Sequence, residues 1–268
     1  MDREGRFSAW YKGIILDIDS SESPVYGEQE GSSYNGHFLS RCYHPLFVFN
    51  QYGDCLKVKL KPGNVHSADG WQEFLEPILR YYAGKEINIK VRGDAAFAIP
   101  GLYELCEELG IDYAVRIKEN EKLTEKIALS IKRPVGRPGK KPVIKFYNQR
   151  GTCEQWIKEG KYALNWTRLS CQGFKENEVR LRLFIMAYNL GNIFRTLALP
   201  EGIKSWSLRT IQLKLIKMGG RLIRHARYYY LLLAEATINE RIWKSIMQKI
   251  RCLPPTPRFR RINCPAPG

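Results

Sequence analysis

Apolar and polar residues follow one another in short blocks along the first half of the chain. Residues 13–19 (GIILDID) are a β-branched apolar run that ends in carboxylates, the pattern of a buried strand. Residues 20–41 are polar and rich in Gly and Ser, and predict a long loop. Two short apolar runs, 45–50 and 55–60, flank Gln-Tyr-Gly-Asp, a hairpin signal. After a loop at 62–67, Ser67 or Asp69 offers an N-cap for a helix running through Tyr82. Residues 86–91 predict the next strand and 93–99 a loop. A helix at 100–109 starts on Pro100 and stops before Gly110. A strand at 113–118 and a helix at 120–131 follow. Three meandering strands and then alternating helices and strands imply a mixed sheet with helices on its faces.

The second half reads as helix-rich. Helical periodicity covers 147–160, 176–197, 208–217 and 238–250, with a break at 202–206. Gly219-Gly220 precedes a basic and aromatic stretch at 221–230. Residues 132–142 (KRPVGRPGKKP) are basic, rich in Pro and Gly, and irregular. They read as a solvated linker or as a minor-groove arm, since Gly136-Arg137-Pro138 resembles the centre of an AT-hook. The Pro-rich tail, 253–268, is expected to be disordered.

Composition adds a partner to this picture. The 268 residues are 44% hydrophobic and 12% aromatic, which suits a folded chain and excludes a disordered one. The net charge of +16 calls for a polyanion, nucleic acid first and an anionic membrane second. The charge is also divided. Up to Ile131 there are 15 Lys and Arg against 20 Asp and Glu; beyond it there are 28 against 7. Carboxylates would hold cations in the first half, and cations would hold phosphates in the second. No apolar run approaches the length of a membrane span, and nothing near Met1 resembles a signal peptide, so the membrane loses ground. The seven cysteines show no zinc-knuckle spacing and the four histidines form no metal-binding pair, so the cysteines read as reduced thiols.

Three places carry candidate chemistry. Asp17 and Asp19 are two apart on a strand, so they project from one face. Two carboxylates there ask for a cation, unless they are solvated charges where the strand becomes a loop. Asp94 follows a strand immediately, and Gly93 lets the backbone turn so that Asp94 stands at the carboxyl end of the sheet, where ligand sites of open α/β sheets lie. A plain capping Asp would read the same way. Tyr147, Arg150, Glu154 and Lys161 are spaced three, four and seven apart and fall on one face of a helix, with Lys158 beside them. Phe146, Cys153, Ile157 and Gly160 form an adjoining apolar or small stripe. A ladder of surface ion pairs is the plain alternative.

Tyr147-(two)-Arg150-(three)-Glu154-(six)-Lys161 resembles the signature of the IS-four superfamily of bacterial insertion-sequence DDE transposases. The text around it, 146–161, is similar to the IS-thirteen-eighty branch, as are LDIDSSE at 16–22, VRGDA at 91–95 and GGRLIRHARYY at 219–229. The resemblance runs from about Ile14 to Ile250. It implies a ribonuclease-H-like α/β catalytic core over 1–200, a basic helical C-terminal region over 201–252, and a soluble enzyme of the bacterial cytoplasm associated with the nucleoid. It implies a triad of Asp19, Asp94 and Glu154, with Asp17 as the fallback for the first position. These would hold Mg²⁺, for which Mn²⁺ can substitute, while Tyr147, Arg150, Lys158 and Lys161 grip DNA. The activity implied is cleavage and strand transfer at the ends of an element, on double-stranded DNA, by one chain or a homodimer.

Two departures from the family stand out. Asp19 comes almost at the start, where relatives carry an end-recognising domain, and the largely β insertion ahead of the Glu-bearing helix is replaced by 119–145. The expectation is a truncated or internally deleted transposase with its carboxylates in place and its transposition impaired. A non-catalytic DNA-binding remnant or inhibitor is the alternative, and a general nuclease of the same fold is a third reading.

Overall fold

The computed structural model describes residues 13–85, 87–118, 120–128, 142–217, 219–233 and 240–253. The basic linker at 132–142, but for Pro142, and the tail beyond Leu253 lie outside these residues. Contacts divide the chain into two units: residues 1–192 with 207–209, and residues 193–206 with 210–268.

The first unit is built on strand β1 (Ile14–Ser20). Strands β2 (Ser23–Pro24), β3 (Ser33–Asn35) and β4 (Ser40–Tyr43) form a small separate sheet in the order β2-β4-β3. The expected long loop at 20–41 is therefore partly structured. Strands β5 (Leu46–Asn50), β6 (Cys55–Lys59), β7 (Ile89–Gly93) and β8 (Asp112–Val115) join β1 in a five-stranded sheet, ordered β6-β5-β1-β7-β8. β5 runs antiparallel to both β1 and β6, whereas β1, β7 and β8 run parallel. A three-strand meander that continues into two parallel crossover strands is the ribonuclease-H-like arrangement that the sequence implied. Helices α1 (Trp71–Ala83) and α2 (Pro100–Glu108) make the crossovers.

The period of two along β1 sorts its side chains between two cores. Ile14, Leu16 and Ile18 face a cluster that includes Phe74, Leu75 and Leu79 of α1 and Leu102 and Leu105 of α2. Asp17 and Asp19 face the other way. On that side Phe47 of β5 stacks on Trp166 at 5.2 Å, and Phe49 meets Trp156 and Tyr188. Those aromatics come from α5 (Gly151–Leu164), the turn after it, and α6 (Phe174–Leu197), which follow α3 (Glu121–Ala128) and α4 (Pro142–Asn148). Asn189 of α6 grips the backbone of Cys55 on both sides, accepting from its N–H at 2.9 Å and donating to its carbonyl at 2.8 Å. The sheet thus carries packed side chains on both faces.

Three local expectations are corrected. α1 is capped by Gly70 in the left-handed region, not by Ser67 or Asp69. The buried Lys61 ammonium donates to the carbonyls of Ser67 and Asp69, at 3.0 and 2.9 Å, and to that of His66; this fixes the turn without a side-chain cap. The helix expected at 147–160 is two helices, α4 and α5, separated at Gln149 and Arg150. The N–H groups of Gln149, Arg150, Thr152 and Cys153 all reach back three residues instead of four. Asn148 and Gly151 are poor helix formers at this point. In the second unit, a short helix α7 (Leu208–Ile211) is followed by β9 (Gly220–His225) and β10 (Tyr228–Leu233), which form a hairpin. The basic-aromatic stretch is therefore not helical: β-branched and aromatic residues favour extended backbone. α8 (Glu240–Arg251) closes the described chain.

Candidate active site

β1 delivers two carboxylates to one face, and the structure gives them different fates. Asp17 is fully buried and pairs in register with Arg92 of β7. Arg92 donates through Nε to Oδ1 and through Nη2 to Oδ2, both at 2.6 Å. Its remaining nitrogen, Nη1, donates to the Phe146 carbonyl at 2.9 Å, and its guanidinium lies 4.9 Å from the Phe146 ring centre. Both Asp17 oxygens are therefore consumed by a cation, and burial still pushes its carboxyl above the ordinary range against the pull of Arg92.

Asp19, at the end of the strand, keeps more freedom. Its Oδ1 accepts from the Ser20 N–H at 3.0 Å, and its Oδ2 lies 3.3 Å from Arg150 Nη1. Burial is the main reason its carboxyl is pushed up to about 6. The Arg150 charge opposes that rise, and the negative charges of Asp94 and Glu154 add to it. Asp19 thus feels the charge of both other candidate carboxylates.

Asp94 follows β7 and caps a single 3₁₀ turn, Ala95–Phe97, by accepting from the Ala96 N–H at 3.0 Å. Glu154 stands one turn into α5, half exposed, with Oε1 3.5 Å from Arg150 Nη2. Arg150 therefore sits between Asp19 and Glu154. Its Nη1 is buried and is not aligned for a hydrogen bond, even to the Asp19 oxygen within ion-pair distance. Tyr147, on α4, is half-buried, with its ring centre 6.0 Å from the Arg150 guanidinium. Lys158 is exposed on α5. Lys161 is half-buried; burial lowers the pKa of its ammonium, against the opposing charge of Glu22. Tyr147, Arg150, Glu154 and Lys161 thus span a break between two helices instead of one helical face.

Hard carboxylate oxygens, one of them strained by burial, suit a divalent cation such as Mg²⁺. Among the described residues, however, no three His, Cys, Asp or Glu side chains are grouped closely enough to hold a metal ion. Arg150 supplies the compensating positive charge in this arrangement.

Two features went unnoticed in the sequence. Arg92 organises the site from below, and the signal was there: a charged residue inside the strand Ile89–Gly93 needs a buried partner. Behind Asp19, Ser20 Oγ meets Ser67 Oγ at 3.0 Å and His44 Nε2 at 3.1 Å, and His44 Nδ1 meets the Val65 carbonyl at 3.2 Å. Burial lowers the His44 pKa. Nothing in the spacing of residues 20, 44 and 67 announced this contact.

Fold and site together define an α/β protein with acidic residues at the carboxyl ends of two parallel strands, facing a basic helix end. One protein-family model, described as Transposase DDE domain group 1, matches residues 4–143 and 136–255. The chain belongs to that family. No curated protein matches the sequence. Among solved structures, the chain is similar to the catalytic domain of Mos1 mariner transposase, with 11% identity, a TM-score of 0.30, and 70% of this chain and 87% of that one covered. It is similar to the same domain described with raltegravir and Mn at 11% identity and a TM-score of 0.29, covering 70% and 88%.

Proposed function

We propose that the chain is a DDE transposase core of the bacterial insertion-sequence type, catalysing phosphoryl transfer on double-stranded DNA with Asp19, Asp94 and Glu154. The observation that carries this reading is the placement of Asp19 and Glu154 on either side of Arg150, with Asp94 at the end of the adjoining strand, in a chain of the DDE family. Asp19 is favoured over Asp17 as the first member because both Asp17 oxygens are taken by Arg92. Mg²⁺, or Mn²⁺ in its place, would be held by the triad and would supply Lewis-acid stabilisation of the oxygens that gain charge at phosphorus.

The chain's own groups orient the DNA. Arg150 is placed to hold a phosphate oxygen once it leaves the carboxylates, which its unaligned Nη1 favours. Lys158 and Lys161 extend the same cationic edge along α5, and Tyr147 limits the space beside Arg150. Water would be the nucleophile in nicking, and the freed 3′-hydroxyl the nucleophile in strand transfer.

The two stretches that match the family overlap at 136–143, within the segment that was expected to stand in place of a β insertion. This supports an internally deleted enzyme with impaired end processing. A second reading, DNA binding without cutting, is favoured by one observation: no described cluster closes on a metal. A nicking assay on duplex DNA carrying element ends, with Mg²⁺ or Mn²⁺, separates the two. Asp94→Ala should lower triad-dependent nicking on the order of 10³-fold. Nicking that persists in that variant, or no nicking by the parent chain, removes the catalytic reading.

A further inference from the structure

The β9–β10 hairpin pairs with no other strand among the described residues. A two-stranded ribbon alone is marginally stable in water and gains from a partner. This one exposes large side chains on both faces: Leu222 and Tyr229 on one, and Tyr228, Tyr230 and Leu232 on the other, each 48–69% accessible. Residues 219–233 contain three arginines and a histidine, and no Asp or Glu. Arg224 pairs across the ribbon with Tyr229, its guanidinium 5.8 Å from the ring centre, and Arg227 sits in the turn.

A second copy of the chain fits this surface poorly, because the arginines of two ribbons would repel. Phosphates fit it well. A two-stranded ribbon has the width to enter the major groove of duplex DNA, with its edges along the two backbones.

We infer that the β9–β10 hairpin is a duplex-DNA-gripping ribbon, in which Arg221, Arg224 and Arg227 bind phosphates and Tyr228, Tyr229 and Tyr230 pack against the groove walls. For its partner this rests on the reading of the chain as a DNA-acting protein, but none of its residues belongs to the candidate active site. Tyrosine suits the role, with an apolar ring for the sugar edge and a hydroxyl for a phosphate oxygen.

The test is binding of the full chain to a fluorescently labelled duplex in EDTA, measured by anisotropy over a range of salt. Each phosphate contact contributes about −0.9 to the slope of log K against log salt. Combining R221Q, R224Q and R227Q should therefore flatten the slope by about 2.7 and weaken binding on the order of 10²-fold near 0.1 M salt. Binding in EDTA is read without cleavage, so failure of the catalytic reading and failure of this one are distinguishable. The unmodified chain provides a second measurement: photocrosslinking to 5-iododeoxyuridine DNA should label a peptide containing Tyr228–Tyr230. This measurement decides the matter if the triple variant does not fold. Unchanged affinity and slope in a folded variant, crosslinks only outside the hairpin, or loss of self-association or of anionic-vesicle binding without loss of DNA binding would each overturn the inference.

Discussion

Replacing Asp19 with Asn should make the metal-free protein more stable near neutral pH, although Asp19 sits beside a cation. Its carboxyl is pushed from 3.8 to about 6, chiefly by burial. Below about pH 3.8 the acid is protonated in both folded and unfolded chains and contributes nothing. Between there and about pH 6 the folded chain binds more protons than the unfolded one, so stability falls as pH rises. Above about pH 6 the whole cost is present, about 3 kcal/mol at 1.36 kcal/mol per pH unit. Asn reproduces the neutral acid, and its oxygen can still accept from the Ser20 N–H. Urea unfolding in EDTA, from about pH 4 to 8, should show the variant level with the parent at the acid end and ahead by about 3 kcal/mol at the neutral end. Mg²⁺ should then stabilise the parent above about pH 6 and leave the variant unmoved, because the ion needs the ionised carboxylate. The reasoning fails if the variant is the less stable protein at neutral pH, or if its gain does not change with pH.

Two further substitutions probe how the Glu154 helix is held. Arg92→Ala should cost about 3–5 kcal/mol, since it strands the fully buried Asp17 carboxylate, and Asp17→Leu with Arg92→Met should recover most of that loss in urea unfolding. Equal stability of Arg92→Ala and the parent would refute a load on this pair. Gly160→Ala should lower the melting temperature although Ala favours helix by about 1 kcal/mol, because its Cβ would lie 2.2–2.4 Å from the buried Trp166 ring. Overpacking of that kind costs about 1–3 kcal/mol, and a raised melting temperature would show that the ring yields.

Much of the first unit was legible because its signals are local. The strand 14–20, the helix with Pro100 at its start, and the meander followed by crossovers are written in apolar period and turn chemistry, which act over a few residues. The acidic pair, Asp94 and the Arg150–Glu154 spacing were visible as residue types. The break between α4 and α5 was not read, although Asn148 and Gly151 mark it locally, and the Arg92 donor that reaches the Phe146 carbonyl beside it comes from 54 residues away. The hairpin at 220–233 was missed for a related reason: Leu, Arg and Tyr suit both helix and strand, and cross-strand pairing decides between them.

By itself the sequence determined the inventory: two aspartates on one strand face, a third after Gly93, a glutamate seven residues before Lys161, and a cationic second half. Only the tertiary structure divided the aspartates. Register places Arg92 opposite Asp17, so the inner carboxylate becomes half of a buried ion pair, while Asp19, two residues nearer the open end of the sheet, stays charged against its own desolvation, pairs with Arg150 and feels the charges of Asp94 and Glu154. Alternation along a strand makes the two positions equivalent; neighbours distant in sequence set their dielectric and their partners.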